Sequence, residues 1–246
     1  MNDFDVVVVG AGNAACCAAL AAAEEGARVL VLERAPRHES GGNSRFTAGA
    51  IRFAYEGVDD LVALMPDLTE SEVGRTDFGT YTEEQFYDDM GRVTDYRTDP
   101  ELASFLVSES KPTVMWMRDH GVRFAPIWGR QAFQVDGRFK FWGGLTVETW
   151  GGGEGLVDAL HGALEHNAVE IRYDTAAKSL LFDGHSVTGI RARQSRNMVD
   201  IPAKCVVLAA GGFQANTEWR TKYLGPGWDL AKVRGTRFNT GDGIRM

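Results

Sequence analysis

The stretch that decides the fold is VVVVGAGNAACCAALAAAEEGARVLVLE, from Val6 to Glu33. The run FDVVVV at 4–9, which is apolar and β-branched in its four valines, is typical of a strand that is buried on both faces of a parallel sheet. A Gly-x-Gly turn follows, and the alanine-rich segment at 13–25 predicts a helix that Gly26 ends. The segment ARVLVLE predicts a second strand, so the stretch forms a strand–helix–strand unit.

The turn has the G-x-G-x-x-A spacing of a dinucleotide-binding loop. Gly10 permits the tight turn, Gly12 lets a diphosphate approach the backbone, and Ala15 lets the helix pack against the strand. Free N–H groups at the helix N-terminus favour a pyrophosphate, and Glu33 at the end of the second strand can accept hydrogen bonds from a ribose. A chance Gly-x-Gly is the alternative. The ordered strand, helix, second strand and acid favour a dinucleotide without separating NAD from FAD.

Composition limits the classes of protein to which the chain can belong. It has 246 residues, is 44% hydrophobic and carries a formal net charge of −8, which suits one large domain or two small ones. The acidic balance and the lack of a basic stripe argue against a nucleic-acid partner. No apolar run approaches the length of a membrane span, and no signal-peptide pattern is visible.

The cysteines and histidines indicate neither disulfides nor a metal site. Cys16 and Cys17 are neighbours on a predicted helix, and Cys205 opens an apolar strand. This usage fits a reducing compartment, so the cytoplasm is expected. The five histidines are scattered and show no metal-ligand spacing, and we expect no metal.

The order of the later segments favours FAD over NAD. An NAD-binding domain would normally add its next helix and strand soon after the first unit. Here GGNSRFTAGAIRF at 41–53 is followed by about 110 residues without a clear buried strand. Helical segments dominate, and 99–122 predicts a buried helical face that is interrupted near Pro112. The residues of that predicted face are Leu102, Phe105, Leu106, Val114 and Trp116.

Strands resume about two thirds of the way along the chain. VEIRYDT at 169–175 alternates, and SLLF and VTGIRA follow, joined around Asp183-Gly184, which is a hairpin signal. MVDIPA predicts a third short segment that completes a small meander. CVVLAAGGF at 205–213 then predicts a further buried strand that ends in two glycines.

This order resembles the FAD-dependent fumarate reductase and succinate dehydrogenase flavoprotein superfamily, over essentially the whole chain. Within the superfamily, the opening GNAACCAALAAAEEGARVLVLERAP and the segment GGNSRFTAGAIRFAYEG are most similar to tricarballylate dehydrogenases. The motifs that carry the resemblance are GAGNAA at 10–15, Glu33-Arg34, GGNSRFTAGA at 41–50, VVLAAGGF at 206–213 and NTGDGI at 239–244.

The resemblance implies an α/β fold: a Rossmann-like two-dinucleotide-binding FAD fold with a parallel sheet, a β-meander and a helical insertion. Residues 1–54 and 165–246 would form the Rossmann-like core with the meander, and 55–164 the mainly helical insertion. In the superfamily, a cap domain with most substrate-binding and proton-transfer residues follows. We therefore expect 1–246 to be the N-terminal portion of an FAD-binding domain, the alternative being a short variant without the catalytic half.

The resemblance also implies cofactor-binding roles at matching positions. The first loop would hold the pyrophosphate, Glu33 the adenosine ribose, the second glycine-rich loop the ribityl chain and flavin, and Ala177 the adenine, with Asp242 near the flavin side. Respiratory succinate dehydrogenases carry a flavin-linked histidine where Asn43 stands, so the FAD is expected to be non-covalent. The expected cofactor-binding residues are Gly10, Gly12, Asn13, Ala14, Ala15, Glu33, Arg34, Gly41, Gly42, Asn43, Ser44, Thr47, Ala48, Gly49, Ala177, Ala209, Ala210, Gly211, Gly212 and Asp242.

No catalytic residue is assigned from the sequence. Arg45, Arg52 and Tyr55 follow the flavin loop and are candidates to face a substrate carboxylate, with solvated surface or a subunit contact as the alternative. The segment WGGGEG at 150–155 opens a predicted helix and either binds an anion or forms only a tight turn. The tryptophans that are more typical of a core or an interface than of a stacking site are Trp128, Trp142 and Trp150.

The expected function is oxidation or reduction of a carbon–carbon bond beside a carboxylate, in which the flavin exchanges a hydride and a protein group handles the proton. In the tricarballylate-like version, a small carboxylate substrate is oxidised to cis-aconitate and the electrons pass to an iron–sulfur partner. The alternatives are a fumarate-type reductase, a ketosteroid dehydrogenase of the same superfamily, or a non-catalytic FAD-binding module.

Overall fold

The computed structural model of the chain describes residues 4–246. Several of its strands are only two to four residues long. In chain order the strands are β1 (Phe4–Val9), β2 (Val29–Leu32), β3 (Ala50–Ile51), β4 (Thr76–Asp77), β5 (Phe124–Pro126), β6 (Ala132–Val135), β7 (Arg138–Phe141), β8 (Val147–Thr149), β9 (Glu170–Arg172), β10 (Thr175–Phe182), β11 (Val187–Gln194) and β12 (Asn197–Leu208).

The helices lie between these strands. Short 3-10 turns occupy Arg37–Glu39, Gly42–Phe46 and Trp228–Leu230. The α-helices are α1 (Asn13–Glu24), α2 (Val58–Leu64), α3 (Glu70–Gly74), α4 (Glu83–Val93), α5 (Pro100–Ser108), α6 (Ser110–Asp119), α7 (Trp128–Gln131), α8 (Gly152–His166), α9 (Thr217–Leu224) and α10 (Asp242–Arg245).

The chain divides into two compact units, and each is described by itself. The first unit contains the residues up to Thr47 together with Leu156–Met246, and the second contains Ala48–Gly155. The division expected from the sequence, with a core of 1–54 and 165–246 and an insertion of 55–164, stays a prediction as a statement about domains.

The first unit is built on a six-stranded sheet with the order β10-β11-β12-β1-β2-β9. β12, β1, β2 and β9 run parallel, and Val7 of β1 lies opposite both Val206 and Leu30. β10, β11 and β12 form an antiparallel meander, with the predicted hairpin between β10 and β11. The predicted α/β fold with a parallel sheet and a β-meander is therefore confirmed.

Helix α1 lies against β1 and β2. Its Ala15 and Ala19 side chains are fully buried, because small side chains let the helix approach the sheet closely. Gly26 has a φ of +77° just after the helix, a conformation that favours glycine and ends the helix. The main apolar cluster of the unit consists of Val7, Val9, Leu30, Leu32, Ala177, Ile190, Ala192, Ile201 and Ala203.

One prediction about the strands is wrong. MVDIPA and CVVLAAGGF were expected to be separate strands, whereas β12 is continuous from Asn197 to Leu208. Its first half pairs antiparallel with β11 as far as Pro202, and its second half pairs parallel with β1 from Ala203, so one extended strand changes partner without a turn. The second half is also less buried than expected, and Cys205 is exposed, since α1 packs mainly on β1 and β2.

The second unit combines helices α2–α7 with two small sheets, which have the orders β3-β8-β5 and β4-β7-β6. The sequence predicted the helices but not these strands, because segments of two to four residues are too short to show a period. Trp128 packs with three phenylalanines, Phe78, Phe139 and Phe141, at centroid distances of 5.1–6.1 Å. Trp142 and Trp150 of this unit are more than half exposed.

The predicted buried face over 99–122 is wrong in its first half. Leu102, Phe105 and Leu106 are 70%, 68% and 49% exposed, whereas Ala103 and Val107 are buried. The helix breaks at Glu109, before Pro112, so that α5 and α6 orient their faces independently. Proline is tolerated there because the first turn of a helix leaves its N–H groups unpaired in any case.

No helix among residues 4–246 is long and apolar enough to cross a membrane.

Candidate functional site

A cavity lies in the first unit, where β1, β2 and β12 end. Ligands of open α/β sheets bind at the carboxyl ends of the parallel strands. The predicted cofactor-binding residues that line this cavity are Gly10, Gly12, Asn13, Ala14, Glu33, Arg34, Gly42, Asn43, Ser44, Ala177, Ala209, Ala210, Gly211 and Asp242. The structure brings them together, and the contact of each with the cofactor stays a prediction.

The N-terminus of helix α1 opens into the cavity. Gly12 is the N-cap residue and offers no side chain to the free N–H groups, and the first turn of the helix carries no acid. The N–H of Asn13 donates to Oγ of Ser44 at 3.0 Å, so the second glycine-rich loop lies directly beside this helix end. The remaining N–H groups and the helix dipole suit a pyrophosphate.

Gly10 shapes the floor of the cavity. Its φ is +108°, and a Cβ built on it would lie 2.5 Å from the carbonyl oxygen of Ala209. Because the obstacle is backbone at the end of the neighbouring strand, no side chain fits at position 10 without moving the sheet. The close approach of the first loop to the end of β12 thus depends on this glycine.

Glu33 lies at one end of the cavity and is only 6% exposed. Its Oε1 accepts a hydrogen bond from the N–H of Ala35 at 2.7 Å. Burial raises the pKa of Glu33, and hydrogen bonds from backbone N–H groups, of which that of Ala35 is the strongest, oppose the rise. A second acceptor oxygen beside a buried cavity suits the hydroxyl groups of a ribose.

Arg34 closes the cavity beside Glu33 by binding the C-terminal segment. Its Nη1 donates to Oγ1 of Thr240 at 2.6 Å and to Oδ2 of Asp242 at 2.7 Å. The guanidinium also lies 5.9 Å from the ring of Phe238. Asp242 therefore lies at the same end of the cavity as Glu33, and its expected place near the flavin stays a prediction.

The second glycine-rich loop forms the opposite side of the cavity. Gly41 has a φ of +99°, and a Cβ on it would lie 2.6 Å from Cγ1 of Val157 in α8. Asn43 lines the cavity, and its Oδ1 accepts a hydrogen bond from the N–H of Thr236 at 3.0 Å. The loop is therefore fixed on one side by a helix and on the other by the segment around Thr236.

His161 supports the first loop from α8 and was missed by sequence reasoning. Its Nε2 lies 3.0 Å from the carbonyl oxygen of Ala11, between the two glycines of the turn. Burial lowers the pKa of His161, so the neutral imidazole donates from Nε2 to this carbonyl. A lone histidine in an amphipathic helix gives no sequence signal for such a role.

Some predicted residues do not line the cavity. Ala15 and Gly41 pack against neighbouring elements, and the carbonyl oxygen of Gly212 accepts a hydrogen bond from the N–H of Gly241 at 3.1 Å. Thr47 donates through its hydroxyl to the carbonyl oxygen of Ser44 at 2.9 Å.

Ala48 and Gly49 belong to the second unit. There the carbonyl oxygen of Gly49 accepts from the N–H of Thr149 at 2.8 Å. With a φ of +78°, Gly49 leaves no room for a Cβ beside Thr149 and Gly152. Close packing within this unit therefore gives Gly49 a structural role of its own.

Other residues line the cavity without having been predicted. Most contribute backbone or apolar surface, which carries no recognisable pattern. They are Val9, Ala11, Leu32, Ala35, Thr236, Phe238, Asn239 and Met246. Asn239 opens the motif NTGDGI, from which only Asp242 was selected, so the motif itself was the available signal.

The three residues considered for substrate contact are held by protein groups. Arg45 donates to the carbonyl oxygen of Ser40 at 2.7 Å and to Asp158 at 2.9 Å. In the second unit, Arg52 donates to the carbonyl oxygen of Gly143 and to Asp89, and the buried Tyr55 donates to the carbonyl oxygen of Phe78 at 2.8 Å.

The glycines at 150–155 have a packing role in the second unit. A Cβ on Gly155 would collide with the carbonyl group of Trp150. The ring of Trp150 lies under the guanidinium of Arg123, 4.3 Å from its centroid. These contacts favour the tight turn over the anion site. Among residues 4–246, no cluster of three metal-binding side chains is present.

Comparisons with known proteins agree with this geometry. A family model described as an FAD binding domain matches residues 5–246. The chain is similar to an NADH:fumarate oxidoreductase of Klebsiella pneumoniae, with 26% identity over 246 residues that cover 100% of this chain and 24% of the relative. It is 32% identical over 263 residues to a vinyl phenol reductase of Lactiplantibacillus plantarum, which covers 100% of this chain and 45% of that relative.

The chain is also similar in its three-dimensional fold to a solved structure. The open conformation of a flavocytochrome c3 fumarate reductase matches with a TM-score of 0.76 and 27% identity, over 99% of this chain and 39% of that one. The chain thus spans less than half the length of these relatives. The predicted superfamily is confirmed, and FAD is the cofactor: the helix end suits its pyrophosphate and Glu33 suits its ribose.

Proposed function

The chain belongs to the FAD binding domain family, and we propose that it is the FAD-holding part of an oxidoreductase that acts on a carbon–carbon bond beside a carboxylate. The observation that carries this proposal is the cavity, with the first loop in its middle and Glu33 at one end. FAD, when bound, supplies the acceptor for a hydride and two electrons.

The names of the relatives support this reaction class. One relative is named for fumarate, whose double bond lies between two carboxylates, and the other for vinyl phenol, whose double bond is attached to an aromatic ring. An activated carbon–carbon bond is common to both. The carboxylate is the narrower part of the proposal, and the resemblance of the two sequence motifs to tricarballylate dehydrogenases supports it.

We propose tricarballylate as the substrate and cis-aconitate as the product. The reaction removes one hydrogen as a hydride and the neighbouring one as a proton, and it leaves a double bond between the two carbons. The two electrons would leave through an iron–sulfur protein as partner. A fumarate-type reductase and a ketosteroid dehydrogenase are the alternatives, and the cytoplasm is the proposed compartment.

The residues of this chain bind and orient the cofactor in this proposal. The α1 N-terminus holds the negative charge of the pyrophosphate, and the buried carboxylate of Glu33 fixes the ribose. Within the described residues 4–246, the ionisable side chains that line the cavity are Glu33, Arg34 and Asp242, which lie together at one end. Because none of them lies by the second glycine-rich loop, we propose that the 246-residue chain alone binds FAD but does not turn over substrate.

The FAD is proposed to be non-covalent. Asn43 occupies the position of the flavin-linked histidine of respiratory enzymes, and its amide is used to hold the N–H of Thr236. Among residues 4–246, the cavity lining contains no histidine, cysteine or tyrosine. His38, the nearest histidine in sequence, is 79% exposed and lies beside Glu39.

The test is anaerobic loss of flavin absorbance on addition of tricarballylate, succinate or a 3-ketosteroid, and reoxidation of dithionite-reduced protein by fumarate. It is carried out on the protein from the complete reading frame and on the 246-residue chain. We expect tricarballylate to bleach the flavin of the complete protein only. Bleaching of the 246-residue chain at the same rate would contradict our division of roles.

The arms of this assay also separate the alternatives. Reoxidation by fumarate alone would favour the reductase, and bleaching by the steroid alone would favour the ketosteroid dehydrogenase. If the complete protein holds FAD and responds to none of these compounds, the tricarballylate proposal fails and a non-catalytic FAD-binding module is favoured.

A further inference from the structure

Asn239 lies between the second glycine-rich loop and the two glycines that follow β12 in the first unit. This asparagine is only 7% exposed, and it lines the cavity. A Cβ on Gly211 would lie 2.8 Å from Nδ2 of Asn239, and a Cβ on Gly42 would lie 3.9 Å from its Oδ1. The absence of a side chain at Gly211 leaves the space that the amide of Asn239 occupies, and Gly42 lies in contact distance on the other side.

The backbone around Asn239 is fixed by hydrogen bonds. Its carbonyl oxygen accepts from the N–H of Ala215 at 2.9 Å, and the carbonyl oxygen of Thr240 accepts from Nδ2 of Asn216 at 3.1 Å. Asn216 in turn caps α9 by accepting from the N–H of Trp219 at 3.0 Å. The position of Asn239 is therefore set by its segment and does not depend on its own side chain.

The side-chain amide of Asn239 has no hydrogen-bond partner among residues 4–246. Its two neighbours of the same type differ, since Asn43 accepts from Thr236 and Asn216 binds both Trp219 and Thr240. The protein encloses most of the residue, but its amide opens into the cavity, where a ligand can reach it. An amide of this kind that faces a cofactor cavity indicates a contact with the cofactor.

The order of groups along the cavity indicates which part of FAD this is. Glu33 marks the adenosine ribose at one end, and the α1 N-terminus marks the pyrophosphate. Ser44 lies directly beside that helix end, and Gly42, which adjoins Asn239, belongs to the same loop. A dinucleotide that runs from Glu33 past α1 therefore brings its ribityl chain to Asn239.

We propose that the side-chain amide of Asn239 hydrogen-bonds the ribityl hydroxyl groups of FAD. A ribityl hydroxyl both donates and accepts, so Oδ1 and Nδ2 of one amide can each find a partner on the chain. The proposal rests on FAD as the cofactor and adds a contact on the flavin side of the pyrophosphate.

The test compares Asn239→Leu and Asn239→Ala with the unaltered chain, in binding of FAD and of ADP. Both ligands contain adenosine and pyrophosphate, but only FAD has a ribityl chain. We expect both variants to bind FAD about tenfold more weakly, the loss expected for one or two neutral hydrogen bonds. ADP binding should be unchanged.

Thermal unfolding without ligand provides a second readout. The melting temperature of Asn239→Leu should be unchanged or higher, since the amide makes no hydrogen bond to the protein that the substitution could remove. Asn216→Ala is the matched control, because it removes a helix cap and should lower the melting temperature. If the leucine side chain does not fit at position 239, the smaller Asn239→Ala variant still allows FAD binding to be compared with ADP binding.

Three results would overturn the proposal. Equal weakening of FAD and ADP would place Asn239 at the pyrophosphate or in the cavity wall. A fall in the melting temperature of both Asn239 variants, as large as that of Asn216→Ala, would show a structural role. Failure of the unaltered chain to bind FAD, with ADP still bound, would overturn the cofactor itself, which a defect confined to the variants would not.

Discussion

The two ends of the cavity differ in how their polar groups are satisfied. At the adenosine end, Glu33 accepts from Ala35, and Arg34 binds Thr240 and Asp242. Toward the second glycine-rich loop, the amide of the neighbouring Asn239 faces Gly42 and Gly211 and has no hydrogen-bond partner within residues 4–246. The adenosine end is therefore ordered by the protein alone, whereas in our proposal the side at the second loop is completed by the cofactor.

This difference separates effects on folding from effects on binding. Removing a group that already has protein partners changes the free energy of unfolding as well as the affinity for the cofactor. Removing an unpaired group changes the affinity and leaves the stability of the free protein intact or improves it. Substitutions along the cavity can therefore show, residue by residue, whether a side chain supports the fold, the binding of the cofactor, or both.

The largest effect is expected in the middle of the cavity, at Gly10. Gly10→Ala places a Cβ against the carbonyl oxygen of Ala209 at a φ of +108°, and it should destabilise the fold by roughly 2–5 kcal/mol. The control is Gly26→Ala, with a φ of +77° and no atom within 4 Å of the added Cβ, which should cost about 1 kcal/mol. Urea unfolding measures both, and equal losses would contradict the close approach of the first loop to β12.

Glu33 should give the next largest effect, on FAD and ADP alike. Glu33→Ala removes a charged acceptor worth roughly 1.5–3 kcal/mol, so both affinities should fall by about tenfold to a hundredfold. Titration with each ligand, followed by protein fluorescence, measures this. Weaker binding of FAD with unchanged binding of ADP would mean that Glu33 does not contact the adenosine ribose.

The pH dependence of the free protein sharpens the assignment of Glu33. Its pKa is raised by burial above 4.5, so the stability linked to this group is present below that pH and is lost as pH rises through the folded-state pKa. Glu33→Gln should therefore unfold at higher urea than the unaltered chain at neutral pH. A lower urea midpoint for Glu33→Gln at neutral pH would mean that the ionised carboxylate is stabilising.

Arg34 should have a smaller effect because its side chain is 35% exposed. Solvent screens a partly exposed ion pair, and such pairs contribute about 1 kcal/mol or less. Arg34→Met should therefore weaken FAD binding by about fivefold or less, with the difference shrinking at high salt. A loss that is large and independent of salt would indicate direct contact of Arg34 with the cofactor.

His161 should give the smallest effect, with the opposite pH direction from Glu33. Its pKa is lowered by burial below 6.5, so stability is present above that value and is lost as pH falls through the folded-state pKa. The charged groups near it, Arg45, Asp158 and Glu165, partly offset one another. Urea midpoints should fall between about pH 7.5 and pH 5.5 and fall less in His161→Gln; identical profiles would show that His161 is not the group that titrates.

The sequence predicted the first unit better than the second for physical reasons. β1 was predicted to the residue and α1 to within one residue, because burial on a parallel sheet imposes a continuous apolar run and a glycine-bounded helix. In the second unit, partners such as Arg52 and Asp89 lie far apart in sequence. Leu102 and Phe105 are apolar yet exposed, so their pattern predicted the wrong face.

The site was predictable where backbone geometry dictates the residue type. Gly10 and Gly12 follow from the close approach of a diphosphate, and Glu33 follows from its place at a strand end. The motif NTGDGI marks the segment of Asn239, but no local rule selects Asn239 itself, since the space that its amide occupies depends on the distant Gly211. His161 depends in the same way on a carbonyl group 150 residues earlier.

The central claim is that this cavity holds FAD without a covalent bond. The most direct measurement saturates the purified chain with FAD, removes free flavin, precipitates the protein with acid and identifies the nucleotides in both fractions by mass spectrometry. The account predicts intact FAD in the supernatant, close to one per chain, and none with the protein pellet. Flavin that stays in the pellet, or a supernatant with NAD and no flavin, would contradict it.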